Sequence, residues 1–315
     1  MSLLTIPDMF AVNFRWIAII SEDALKNRMV SLENEQAEKI AAEWSLRAPP
    51  IRPGWETLDI LAREMDGTER SRILILGATP ELVDFSLRKR ASRITLMDQS
   101  EDWVKAMESL GSEDWTGVEK IIADWRTPRE DLRNAYNTIL GDGSFNMVSY
   151  PKDWGTVLRN LDAYLVPGGR VIARNLIRPS TPFSFPAYLE DALRHFRTVG
   201  QNRDSLKILL STVRQAAFVG SVDSTSLVLE DLRQKLEREA CQKLKSMADF
   251  QEDHEIIEIL LGTEKEQKAR KGGYVPRKEN ISEIFHAAGF TVRSFQPVEN
   301  RFGLDVSFVL TAVKA

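Results

Sequence analysis

One cysteine and three histidines among 315 residues leave little material for disulfide or metal chemistry. The lone Cys241 excludes an intramolecular disulfide framework, a cysteine zinc site and an iron–sulfur cluster. His195, His254 and His286 are scattered without metal-ligand spacing, so no metal is expected. Long hydrophobic runs are missing too. The apolar "WIAII" at 16–20 is far too short to cross a bilayer, and acidic residues follow it. A cytoplasmic protein with no membrane partner is expected. Charge of one sign is scarce: the net charge of −4 supplies no general attraction to nucleic acid, and no nucleic-acid partner is expected. What the chain does have is a hydrophobic fraction of 43%, enough for one large domain or a domain with an added subdomain.

The texture changes along the chain. Residues 21–47 carry apolar positions at helical spacing, among them Leu25, Met29, Leu32, Ile40 and Trp44. "APPIRP" at 48–53 breaks that pattern, and a short helix is expected at about 55–65. Five short aliphatic runs follow: "SRILILG" (71–77), "SRITLMD" (92–98), "EKIIADW" (119–125), "YNTILGDG" (136–143) and "GGRVIARNL" (168–176). Helix-like segments separate them, at about 80–90, 100–110, 128–134 and 152–165. Aliphatic runs alternating with helices indicate parallel strands covered on both faces, hence a doubly wound α/β sheet. Residues 183–267 read as mostly helical, and an apolar stripe runs from Leu229 through Leu236 and Leu244 to Met247. A helix ending at Gly289 and two strands, 291–298 and 305–314, complete the pattern.

Ligands of such sheets bind beyond the carboxyl ends of the strands. Gly77 ends the first run, and a residue without Cβ there lets a ligand approach the backbone. The multi-glycine pyrophosphate cradle is absent, because Ala78, Thr79 and Pro80 stand in its place, and this counts against a dinucleotide. Glu81 falls in the first turn of the next helix. Asp98 ends the second run, 21 residues after Gly77, where a carboxylate can accept both hydroxyl hydrogens of a ribose; its alternative role is to cap the helix that "DQSED" opens. Asp124 with Trp125 ends the third run and suits an adenine, the acid accepting from the exocyclic amine and the ring packing on its face. "GDG" at 141–143 ends the fourth: either Gly141 and Gly143 open space and Asp142 points into the cleft, or the stretch is an ordinary Asp-Gly turn.

Taken in order, these motifs resemble those of a class I S-adenosylmethionine-dependent methyltransferase. The likeness covers 71–177 and 279–315 and rests on "LILG", "ITLMD", "IIADW", "ILGDG", "LVPGGRVIA" and the terminal strand pair. "LGATPEL" looks like a bacterial subgroup with a Thr-Pro-Glu turn in place of glycines. The resemblance implies a seven-stranded mixed sheet and S-adenosyl-L-methionine as cofactor. It places Gly77, Ala78, Thr79 and Glu81 by the methionine part, Asp98 with Gln99 at the ribose, and Asp124 and Trp125 at the adenine. Gly141 and Asp142 would lie near the sulfonium or the acceptor. Asp142 is the first candidate for a catalytic role, as base or acceptor-positioning group, with Tyr150, Asn175 and Arg178, which lie after the fourth and fifth runs, behind it.

The expected organisation is an N-terminal helical lead-in (1–66), a cofactor-binding core (67–178 and 279–315) and a helical insertion (179–278) serving as a substrate lid. Phe183, Phe185, Tyr188, Phe196, Phe218 and Phe250 of the insertion could wall a pocket or pack its helices. "KEQKARKGGYVPRK" at 265–278 reads as a solvated basic loop or an anion site. The family's Asn-Pro-Pro-aromatic motif is absent after the fourth run, where "GDGSFN" stands, so the acceptor is expected to be a small molecule and not DNA. Three alternatives remain: a non-catalytic protein on the same fold, a nicotinamide-dependent oxidoreductase, and transfer of an aminopropyl group from the decarboxylated cofactor.

Overall fold

The computed structural model describes residues 37–65, 71–179, 183–199, 202–261, 273–299 and 306–315. The expected helical positions Leu25, Met29 and Leu32 lie outside them, as does most of the basic run at 265–272. Helix α1 occupies 37–46 and α2 Trp55–Glu64. The sheet strands are β1 (Arg72–Leu76), β2 (Arg93–Asp98), β3 (Glu119–Ile122), β4 (Tyr136–Asp142), β5 (Leu165–Leu176), β6 (Phe290–Pro297) and β7 (Ser307–Lys314). Their spatial order is β3-β2-β1-β4-β5-β7-β6. Strands β1 to β5 run parallel, and β7 is antiparallel to both its neighbours. This is the doubly wound seven-stranded mixed sheet of the Rossmann-like methyltransferase fold.

Alternation along β1 explains the layering. Ile73 and Ile75 face a cluster that includes Ile60, Leu82, Val83, Met107 and Trp44. Leu74 and Leu76 face the opposite cluster, built on Trp154, Leu158, Phe285 and Phe290. The first face is covered by α2, α3 (Pro80–Arg88) and α4 (Glu101–Glu108), the second by α5 (Lys152–Tyr164) and α10 (Lys278–Ala287). Helix ends follow local chemistry. Pro80 occupies the first turn of α3, where a missing N–H is harmless, and the Ser100 hydroxyl accepts the Trp103 amide at 3.2 Å to cap α4.

Two expected elements differ. The segment 128–134 forms only a 3-10 turn at Glu130–Leu132, because Asn134 turns left-handed at φ +50° and feeds β4 at once. Strand β5 starts at Leu165, before the Pro167–Gly169 turn, at the cost of a register irregularity against β4 between Tyr136 and Thr138.

Between β5 and α10 lie α6 (Phe185–Val199), α7 (Arg203–Gly220), α8 (Glu230–Lys245) and α9 (His254–Leu261). They share an apolar cluster of their own, joined by Val306. Of the aromatic residues named above, all but Phe218, whose ring lies against Gly273, pack helices. Phe185, Phe196 and Phe250 are buried in the cluster, with Phe196 and Phe250 stacked at 5.4 Å, and Phe183 and Tyr188 pack against it. Leu229 precedes α8 as its N-cap and so begins the apolar stripe outside the helix. Residues 273–276 form a docked strap and not a solvated loop: Gly273, Val275 and Pro276 are buried. The Tyr274 amide donates to Asn146 O at 2.8 Å, Val275 to Ser226 O at 2.8 Å, and Arg178 to Pro276 O at 2.9 Å.

Candidate functional site

Strand order reverses between β1 and β4, so the crevice beyond their carboxyl ends is the natural ligand position. Gly77 lies there in the left-handed region, φ +85°, with its amide on Met97 O at 2.9 Å. A Cβ on Gly77 would stand 3.5 Å from the Trp125 ring and 3.8 Å from Asp98 Oδ2. Those are ordinary contact distances, so the backbone conformation, not lack of room, is what favours glycine. Gly77→Ala should therefore lower the unfolding free energy by about 1–2 kcal/mol through strain alone, read by urea denaturation. An unchanged midpoint would mean that the turn can relax to negative φ.

Asp98 is buried at the end of β2. Its Oδ2 accepts the Ala78 amide at 3.1 Å and its Oδ1 the Ser100 amide at 2.9 Å. Burial pushes the Asp98 carboxyl above its ordinary value, and the backbone donors pull the other way. The cap of α4 is Ser100 and not Asp98, which instead holds the Ser100 amide just before the helix and lies at the crevice beside Gly77. Gln99 follows it directly. The half-buried Trp125 indole donates to Met97 O at 2.9 Å, which fixes the ring beside Gly77. The Asn160 side chain holds Trp125 from behind, donating to its carbonyl at 2.9 Å. Asp124 is a third exposed and forks onto Arg126, with Nε to Oδ1 at 2.9 Å; this pairing holds its carboxyl below the ordinary range. Arg126 also reaches Asp153 at 3.0 Å.

The remaining turn residues are covered. Ala78 and Thr79 are 2% and 5% exposed, and the Ala78 carbonyl accepts the Trp103 indole at 3.0 Å. Trp103 in turn meets Trp44 of α1 edge-on at 5.6 Å.

At the end of β4 the structure departs from expectation. Asp142 pairs with Arg174 in a two-pronged fork, and the side chains are 4% and 8% exposed. Arg174 also donates to the carbonyls of Pro50 and Ile51, the latter at 3.0 Å. Asp142 therefore anchors the proline loop through Arg174. Gly141 does not open a cleft; its bare Cα faces Ser144, whose hydroxyl donates to Leu76 O at 2.6 Å and ties the turn to β1. The other candidates differ: the Asn175 amide nitrogen donates to Ala173 O at 3.2 Å, while its buried Oδ1 has no hydrogen-bond partner. Arg178 donates to Asp223 O at 3.0 Å, and Tyr150 stacks edge-on to Trp154 at 5.5 Å.

Arg52, Arg174, Trp103 and Ser144 were not singled out in the sequence. Arg174 carried a signal, since an arginine inside the aliphatic run "RVIARNL" of a buried strand demands a partner. Arg52, in the proline loop, carried none. It donates through Nε and Nη2 to Glu81 Oε1, each at 2.5 Å. Both residues line a cleft of about 340 Å³ with Ser45, Ala48, Pro49 and Lys207. Burial pushes the Glu81 carboxyl up, opposed by the Arg52 charge.

Among the described residues, no three His, Cys, Asp or Glu side chains gather as a metal set, and no helix is long and apolar enough to cross a membrane. No family model and no curated protein matches the chain. Solved structures do. A Rhodobacter sphaeroides protein described as a Zn-dependent alcohol dehydrogenase superposes with a TM-score of 0.55 at 12% identity, over 90% of this chain and 99% of that one. An S-adenosylmethionine-dependent methyltransferase from Mesorhizobium loti gives 0.49 at 12% identity, over 83% of this chain and 99% of that one. The Burkholderia thailandensis 1,6-didemethyltoxoflavin-N1-methyltransferase, solved with S-adenosylhomocysteine, gives 0.45 at 14% identity, over 92% and 83%. Most of the similar structures are described as S-adenosylmethionine-dependent methyltransferases, and at these identities the likeness is one of fold.

Proposed function

We propose that the protein binds S-adenosylmethionine across the carboxyl ends of β1, β2 and β3 and transfers its methyl group to a small-molecule acceptor. One observation carries the reading: a bare Gly77, the Asp98 carboxylate and the Trp125 ring converge within 4 Å of a single point. The donor set fits the group. Each Asp98 oxygen has accepted one amide and keeps a lone pair for a ribose hydroxyl, with Gln99 alongside. Trp125 has spent its N–H on Met97 O, so it offers its face to an adenine, and Asp124 offers an acceptor to the exocyclic amine. Ala78 and Thr79 shape the turn from beneath.

When bound, the cofactor supplies a methyl group already activated for in-line displacement. The chain then has only to hold the acceptor at attack distance and keep water away. Asp142 serves this by fixing the proline loop through Arg174. The segment 1–66 would close one side as a helical lead-in, and 179–278 would act as the substrate lid over the core formed by 67–178 and 279–315.

The engagement of Asp142 by Arg174 also favours a second reading, a non-catalytic protein that binds the same ligand. A nicotinamide-dependent oxidoreductase suits the site less well, because Ala78 and Thr79 stand where the phosphate-cradling glycines of that class would lie. Calorimetric titration with S-adenosylhomocysteine and then with NAD separates these readings. Saturable binding of the first alone is expected, followed by turnover with an acceptor from a small-molecule panel. Binding of NAD alone, or of neither compound, would remove the proposal; binding without turnover across the panel would favour the second reading.

A further inference from the structure

The carboxylates read as the ribose and adenine acceptors carry different loads. Each Asp98 oxygen accepts one backbone amide. Asp124 accepts four times, always from Arg126: the backbone N–H and Nε reach Oδ1 at 2.9 Å each, while Nε and Nη2 reach Oδ2 at 3.0 and 2.5 Å. A carboxylate has about four lone-pair sites. Arg126 therefore fills the acceptor that the exocyclic amine of an adenine would need.

Arg126 has a second partner within reach. Its Nη1 donates to Asp153 Oδ2 at 3.0 Å, and the Asp153 side chain takes no other hydrogen bond among the described residues. Asp153 stands in the first turn of α5, where the positive helix end suits its charge. The Arg126 side chain is 41% exposed, and ion pairs open to solvent are weak enough to exchange partners. Trp125, the residue between Asp124 and Arg126, is fixed by its indole on Met97 O. The Arg126 backbone N–H would stay on Asp124 Oδ1 and keep the carboxylate aimed, so only the guanidinium has to turn.

We propose that the Arg126 guanidinium competes with the ligand's exocyclic amine for Asp124 and, once displaced, closes onto Asp153. The proposal rests on the S-adenosylmethionine reading above and adds an autoinhibitory contact to it. The displacement has a direction. It shifts a positive charge from the loop after β3 to the start of α5, the helix that follows the β4 turn, so arrival of the base strengthens the tie between those two segments. Apparent affinity is lowered by the fraction of molecules in which Arg126 still holds Asp124, and a change that frees Asp124 raises it.

The test compares S-adenosylhomocysteine with S-inosylhomocysteine, which has a carbonyl oxygen where adenine has its amine, by calorimetry on the full chain. Arg126→Met should raise S-adenosylhomocysteine affinity roughly threefold to fivefold, the range of an exposed ion pair. It should not raise S-inosylhomocysteine affinity, because that oxygen has no hydrogen to give Asp124. S-adenosylhomocysteine carries no sulfonium charge, so relief of direct repulsion is not the source of the gain. Asp153→Asn should lower S-adenosylhomocysteine affinity by a similar factor, since the displaced guanidinium loses its second partner, and should change nothing in the Arg126→Met background. Unchanged or weaker S-adenosylhomocysteine binding in a folded Arg126→Met protein would overturn the competition while leaving the cofactor reading intact, and so would a gain shared by both compounds. Wild-type affinity in Asp153→Asn would overturn the transfer to α5 independently of that variant. Binding of neither compound to the wild type or to Arg126→Met would overturn the cofactor reading, and the competition with it.

Discussion

Arg174→Met should destabilise the protein by about 3–5 kcal/mol, the usual cost of removing one partner from a buried ion pair. The Asp142 carboxylate, 4% exposed, would lose its only ion-pair partner among the described residues. The Pro50 and Ile51 carbonyls would lose their donors in the same step. Asp142 also lies close enough to Glu81 to push its carboxyl up, so an uncompensated Asp142 would disturb the Arg52 pair as well. Chemical denaturation measures the loss. The double variant Arg174→Met/Asp142→Asn should regain more than about 1 kcal/mol, since residues in contact couple by that order. A single-variant cost within about 0.5 kcal/mol, the range of ordinary surface changes, would contradict the buried pair. The methionine keeps the aliphatic length of the arginine, so lost packing contributes little to the result.

Asp98→Ala should weaken S-adenosylhomocysteine binding by more than about tenfold, because both ribose hydroxyls lose a charged acceptor. The effect has two sources that a second variant separates. Alanine removes the ligand's acceptor and also releases the Ala78 and Ser100 amides, loosening the turn and the start of α4. Asparagine retains one carbonyl acceptor and the volume but not the charge. Affinity restored by Asp98→Asn would make geometry dominant, and affinity still lost would make charge dominant. Acidity supplies an independent check. Burial raises the Asp98 carboxyl in the folded protein. The folded state then holds this proton more tightly than the unfolded chain does. This one group therefore favours folding increasingly as pH falls and opposes it above the raised value. Ligand binding runs the other way, since the ionised form is the better acceptor for two hydroxyls. Affinity should decline on acidification through a carboxyl titrating above its ordinary value, and that decline should vanish in Asp98→Asn. Full affinity in a folded Asp98→Ala protein would remove the ribose assignment.

The strands could be read from the chain because parallel strands buried on both faces are written as aliphatic runs. Ile73 to Leu76 are all but inaccessible, and "RILIL" could hardly be anything else. Gly77, Asp98 and Asp124 could be read for a related reason, since a residue that interrupts an aliphatic run falls at a strand end. What each carboxylate does there could not be read. Asp98, Asp124 and Asp142 look equivalent in sequence, yet the first holds two backbone amides, the second an exposed arginine two residues on, and the third a buried arginine from the neighbouring strand. Those partners depend on strand pairing across 32 residues for Asp142 and Arg174, and local spacing carries no record of it. The same holds for Arg52 and Glu81, 29 residues apart. The insertion shows the converse. Its aromatics were visible, but whether they would line a pocket or fill a core depended on how four helices meet, and all but Phe218 fill or flank the core.

The position of β7 bears on how the chain comes to be folded at all. Strand β6 touches the sheet only through β7, yet it is made first. While the ribosome is still adding Ser307–Lys314, the open flank of β5 has no neighbour and β6 has nothing to pair with. An unpaired strand edge of this kind is a template for other chains. Strand β7 enters between two strands that precede it in the chain. A chain lacking Ser307–Lys314 would expose both flanks of that gap, the edge of β5 and an unpaired β6.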